Sequence, residues 1–215
     1  MKRKVNMQPQ EIFGFIAGAI GIYMAVPQAL HIRKVGHGTG VSLGYWIILL
    51  FVNASWTAYA LLVNSPSILF ANGIGYLTSA MVVAALVKNN VIAWPVMLLV
   101  GAGWVWAFMK LPMSVIGVVL VVLTFSRIPQ IIRSVRSYRA GISTAVSMRS
   151  QYIGLFTMLL WEGYSFASGL VQLVVTTTVG LTLTLTVLIL ELLGKRKAAR
   201  LSAIELVDGP QVSNI

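Results

Sequence analysis

Val26-Pro27-Gln28 sits near the end of an apolar run, and its Pro-Gln pair returns as Pro129-Gln130, 102 positions further on. Past that pair the match continues at a spacing of 105: Val41-Ser42 with Val146-Ser147, Trp56 with Trp161, Tyr59 with Tyr164, and Gly75 with Gly180. A loop three residues longer in the second half accounts for the change of spacing. A third pair, Pro9-Gln10, stands in a polar stretch without the flanking matches, so it belongs to no repeat. A dipeptide by itself says little, but one set at matched depth in two matched halves marks an internal duplication.

The solvent of these halves is lipid. The chain has 215 residues, 58% hydrophobic and 10% charged, a balance that would expose large apolar patches in water. A hydrocarbon core about 30 Å thick needs roughly 20 apolar residues per helix. Such runs fall at Ile12–Leu30, Leu43–Val63, Ser67–Val87, Val91–Met109, Met113–Ile132, Met148–Ser168 and Leu170–Leu193, which predicts seven transmembrane helices in an all-α polytopic membrane protein. Asn64-Ser65-Pro66, Lys88-Asn89-Asn90, Lys110-Leu111-Pro112 and Ala167-Ser168-Gly169 separate neighbouring runs with turn-forming residues. Cysteine is absent, which excludes disulfides and thiol chemistry.

The matches pair the first three helices with the last three and leave the fourth without a counterpart. Three helices return the chain to the opposite side, so a single linker helix gives both units one orientation. The expected organisation is a triple-helix bundle over 12–88, a linker helix over 91–110, a parallel triple-helix bundle over 113–194, and a tail over 195–215. The net charge of +11 does not indicate nucleic acid, because the basic residues lie between apolar runs. Twelve of the 16 Lys and Arg fall on the side that holds the loops after helices 1, 3 and 5 and the C-terminus. The positive-inside rule makes that side cytoplasmic and the N-terminus external, although Lys2-Arg3-Lys4 pulls the other way. The plasma membrane is the default location. Arg133, Arg136 and Arg139 are read as a loop that sets topology and meets anionic lipid, and residues 201–215 as a disordered tail.

With Val26-Pro27-Gln28, Trp56 with Tyr59, Asn72-Gly73-Ile74-Gly75 and their second-half equivalents, the chain from Ile12 to about Leu193 resembles the PQ-loop superfamily and, within it, the SWEET sugar transporters. The resemblance implies two triple-helix bundles facing each other across a pathway, with a substrate held between them near mid-membrane. It also implies that Asn72 and Trp161 line the pocket. Where the family has a second asparagine, this chain has Thr177, which removes one amide that could bind a sugar hydroxyl.

The residues themselves suggest chemistry. Proline inside a helix lacks an N–H and clashes with the preceding turn, so Pro27 is expected to free the carbonyl of Tyr23 and Pro129 that of Phe125. With Gln28 and Gln130 they form a candidate hinge and gate; a static kink is the plainer alternative. Asn72 offers donors and an acceptor within the third helix, and Asn53, one turn before Trp56, is a further candidate contact. Trp56 and Trp161 each precede a tyrosine by three residues on one helix face, suited to stacking on a sugar or to anchoring at the interface. Trp94, Trp104 and Trp106 read as anchors. Glu162 is a carboxylate within an apolar helix, where burial is costly without a partner or a proton; it is a candidate for substrate or proton binding. Glu11 and Glu191, near helix ends, are given no role.

His31 and His37 stand without clustered carboxylates or a nucleophile, so an enzyme is not expected, nor a metal or cofactor. The expected activity is facilitative, alternating-access transport of a small neutral solute, a mono- or disaccharide, with the bilayer as the other partner. Two alternatives stay open: a proton-coupled carrier of amino acids or another small metabolite using Glu162, and a non-transporting receptor or cargo-binding protein. Homo-oligomer formation is left undecided.

Overall fold

A computed structural model describes residues 8–35, 43–87, 90–142 and 148–208. Lys2-Arg3-Lys4, His37, Val41-Ser42, Lys88-Asn89, Val146-Ser147 and residues 209–215 lie outside them, as do the side chains of Pro27, Gln28, His31 and Arg33. Among the described residues the chain is α-helix joined by short turns: α1 Glu11–Val35, α2 Leu43–Val63, α3 Pro66–Leu86, α4 Asn90–Phe108, α5 Met113–Thr124, α6 Ile128–Ala140, α7 Met148–Ser168 and α8 Val171–Asp208. Each apolar run is helical to within a residue of its ends. Five stretches are long and apolar enough to cross a bilayer: Leu43–Val63, Pro66–Leu86, Val91–Phe108, Met113–Ala140 and Val171–Ala203. Glu11–Met24 is a shorter apolar stretch. Arg149, Gln151 and Glu162 lower the hydropathy of α7, which is not among the five.

The turns follow from their residues. Asn64 takes the left-handed conformation (φ 55°) that ends α2, a role asparagine fills more readily than most. Ser65 then caps α3, its Oγ accepting the Ile68 N–H at 3.2 Å, with Pro66 at the first helical position. Gly169 (φ +64°) separates α7 from α8, as its position between two long apolar runs suggested.

The second helical arm is interrupted where Pro129 requires it. Phe125–Arg127 tightens into a 3₁₀ turn, and the Ile128 N–H donates to the Phe125 carbonyl, so the carbonyl expected to be freed finds a nearer donor. Pro129 falls in the first turn of α6, where its missing N–H costs little. The matching arm differs, for α1 stays helical through Pro27.

Two expectations change at the basic end. Arg133, Arg136 and Arg139 lie on α6, which runs on to Ala140. Residues 201–208, expected to belong to a disordered tail, continue α8 as helix to Asp208.

α1 and α2 both pack on α3, while α5, α6 and α7 pack on α8. α4 lies against α2 and α3. Across the two sets, α1 meets α7 and α5 meets α2. One apolar cluster joins α2, α3 and α4 through Trp46, Leu50, Val83 and Met97. A second joins both sets through Tyr59, Ile68, Phe108, Ile116, Leu120, Tyr164 and Leu173. These residues come from the ends of α2, α4 and α7 and the starts of α3, α5 and α8, so the two sets are sealed together at the end remote from Arg133, Arg136 and Arg139.

Candidate functional site

α2 and α7 bring equivalent aromatic pairs into the structure. Trp56 meets Tyr59 edge-on with centroids 5.7 Å apart at 89°, and Trp161 meets Tyr164 at 5.8 Å and 81°. Both tyrosines are buried in the cluster shared by the two sets, and both tryptophans are half-buried at its margin.

Beside Trp161, Glu162 is tied to α8. Thr178 Oγ1 donates to Glu162 Oε1 at 2.6 Å. Oε2 is buried and without a hydrogen-bond partner. One turn on, Ser165 Oγ donates to the Glu162 carbonyl at 2.8 Å and lies 3.0 Å from Thr177 Oγ1. Glu162, Ser165, Thr177 and Thr178 thus form a polar patch on the α7–α8 seam. Thr57, the repeat counterpart of Glu162, likewise has a buried, unpartnered Oγ1. A buried polar atom without a partner costs about 1–3 kcal/mol, so both positions have capacity for an added donor or acceptor.

The other expected site residues are placed differently. Asn72 donates to the Ile68 carbonyl of its own helix at 2.9 Å. It shares no hydrogen bond with Thr177 or Glu162. Asn53 lies in the α2–α3 seam, its Nδ2 donating to the Leu49 carbonyl at 2.8 Å and reaching Ser79 Oγ at 3.5 Å. A Cβ at Gly75 would stand 2.4 Å from Asn53 Oδ1, so the amide rests on the glycine backbone. Pro129 and Gln130 are exposed. Two crevices, about 220 Å³ between α2, α3 and α4 and about 330 Å³ between α5 and α8, have mainly apolar linings that include none of the expected site residues. Among the described residues no three His, Cys, Asp or Glu side chains gather to hold a metal.

Glu11, which has no role on the sequence alone, gains one from the fold. It is 6% exposed, at the start of α1. Its Oε2 accepts the Ser67 N–H at 2.8 Å, placing a carboxylate at the N-terminus of α3 where the helix dipole favours it. Its Oε1 accepts from the Tyr164 hydroxyl at 2.8 Å. The tyrosine proton is thereby used, so in the 2.7 Å contact with Tyr164 it is Ser65 that donates. The usable signal was one acid in the first turn of an apolar helix, in a chain with only 5 acidic residues. Trp104 does more than anchor: its indole donates to Ser55 Oγ at 2.9 Å and meets Phe51 edge-on, fastening α4 to α2. Trp106 remains 67% exposed, with Lys110 5.6 Å from its ring centroid, in keeping with an anchor.

Among the described residues the fold is all-helical, with five helices long and apolar enough to cross a membrane and polar groups held between its helices. The chain matches no protein-family model, no curated protein and no solved structure.

Proposed function

We propose that this protein is a facilitative transporter of a small neutral solute, a mono- or disaccharide, built as two parallel three-helix bundles joined by α4 in the manner of the PQ-loop and SWEET proteins it resembles. The observation that carries the reading is agreement between the sequence repeat and the packing. Asn53 lies on Gly75 in α3, and at the same spacing of 105 the Met158 sulfur lies 3.6 Å from where a Cβ at Gly180 would stand in α8. The contact of α1 with α7 likewise has its counterpart in that of α5 with α2. Such exchange across a pseudo-twofold axis is what two rocking halves require. The excess of basic residues supports a plasma-membrane orientation with the N-terminus outside.

A proton-coupled carrier is favoured by one observation, the unpartnered Oε2 of Glu162 beside Thr178. Counterflow of radiolabelled sugars and amino acids in proteoliposomes, with and without a pH gradient, separates the readings. Facilitative transport predicts sugar exchange indifferent to the gradient and retained in Glu162→Gln. Gradient-driven uptake lost in Glu162→Gln would establish the proton-coupled carrier, and binding without flux would establish a receptor.

A further inference from the structure

The arginines of α6 occupy a defined depth and face. A helix rises about 1.5 Å per residue, and the hydrocarbon core takes up roughly 20 residues. A span entered at Met113 therefore reaches the far boundary near Ile132, and one entered at Val171 does so a few residues before Lys195. Beyond those points α6 and α8 continue as a paired post. Ser134 donates to the buried Glu191 at 2.6 Å. Lys197 Nζ donates to the carbonyls of Tyr138 and Arg139, each at 3.1 Å, capping the end of α6. Leu201 lies against Gly141, whose φ of +69° closes that helix.

Because Ser134, Tyr138 and Gly141 face α8, the positions i, i+3 and i+6 at Arg133, Arg136 and Arg139 fall on the opposite face of α6. All three are exposed, and none of their guanidinium groups has a hydrogen bond or ion pair among the described residues. They extend along ~9 Å of helix from the hydrocarbon boundary, through the headgroup layer of roughly 5–7.5 Å to its outer edge.

We propose that this face binds the phosphodiester headgroups of anionic phospholipids in the leaflet on that side. Guanidinium forks match phosphate oxygens two at a time and give up water more readily than an ammonium does. Three of them, set on a helix braced by α8 at headgroup depth, form a charge-complementary site for lipid. A soluble polyanion would be better served by a face further from the bilayer. The inference rests on membrane embedding and not on transport.

The test is binding of phosphatidylglycerol to the purified full chain in phosphatidylcholine nanodiscs, read by native mass spectrometry and by thermal unfolding. Phosphatidylglycerol is expected to bind and to raise the unfolding temperature. In Arg133→Gln/Arg136→Gln/Arg139→Gln, affinity should fall on the order of 100-fold, while Lys110→Gln, at the other end of the bundle, keeps it. Should the triple Gln variant fail to fold, the triple Arg→Lys variant, which keeps the charge and loses the fork, should bind with intermediate affinity. Undiminished binding in the folded triple Gln variant overturns the proposal. So does native-strength binding in the triple Lys variant, an equal thermal shift from inorganic phosphate alone, or preference for nucleic acid over lipid.

Discussion

Replacing Tyr164 with phenylalanine deletes one hydroxyl from the junction between the two sets of helices, and replacing Tyr59 deletes the hydroxyl at the equivalent position. The consequences should be opposite. Tyr164 donates to the Glu11 carboxylate and accepts from Ser65, and it is 1% exposed. A hydrogen bond to a charged group contributes about 1.5–3 kcal/mol and a neutral one about 0.5–1.5. Losing both, with Glu11 left buried and short of a donor, should destabilise by about 3 kcal/mol. For a chain of this length that is a fall in Tm of roughly 6–12 °C. Tyr59 is 0% exposed, and its hydroxyl has no partner. The repeat explains why, since the counterparts of Glu11 and Ser65 are Met113 and Leu170. Removing an unsatisfied hydroxyl relieves a desolvation cost, so Tyr59→Phe should leave Tm unchanged or raise it. Both variants can be followed by tryptophan fluorescence during thermal unfolding in detergent. Equal losses in the two would refute the asymmetric junction, and a neutral Tyr164→Phe would mean that Glu11 is not held as described.

Gly75→Ala forces a Cβ into Asn53 Oδ1 and should destabilise by about 1–3 kcal/mol through overpacking; adding Asn53→Ala should restore most of the loss, and a denaturant titration that finds the two effects additive would argue against the contact. Pro129→Ala removes the reason for the 3₁₀ turn at Phe125–Arg127 and should straighten the arm. Counterflow should then slow more than substrate binding weakens, whereas unchanged exchange rates would leave Pro129 as a static feature of the fold.

The candidate site was legible in the sequence to an uneven degree. Glu162 and Thr177 do fall on one seam, because residues on successive antiparallel helices at matched depth must meet somewhere. Asn72 stands out by residue type, depth and the family resemblance, and Asn53 by lying one turn before Trp56; none of these fixes which neighbour a side chain meets. Asn53 turns out to fill the space over Gly75, a contact fixed by how α2 rotates against α3. The role of Glu11 is not legible in the sequence, because nothing within α1 distinguishes a carboxylate at a frayed end from one that caps another helix.

By itself the sequence determined where the helices lie and where they turn, which residues match between its two halves, and that its helices are apolar enough to cross a membrane. Each of these follows from local quantities: apolar run length, the conformational preferences of Asn64, Pro66 and Gly169, and self-comparison. Only the tertiary structure decided which polar groups are satisfied and by what. It joined Glu11 to Tyr164 across 153 positions, left Tyr59 without a partner, and turned the basic segment after Ile132 into a helix braced by α8. Those outcomes depend on contacts between segments far apart in the chain, whose geometry is set by the packing of whole helices and not by the residues nearest in sequence.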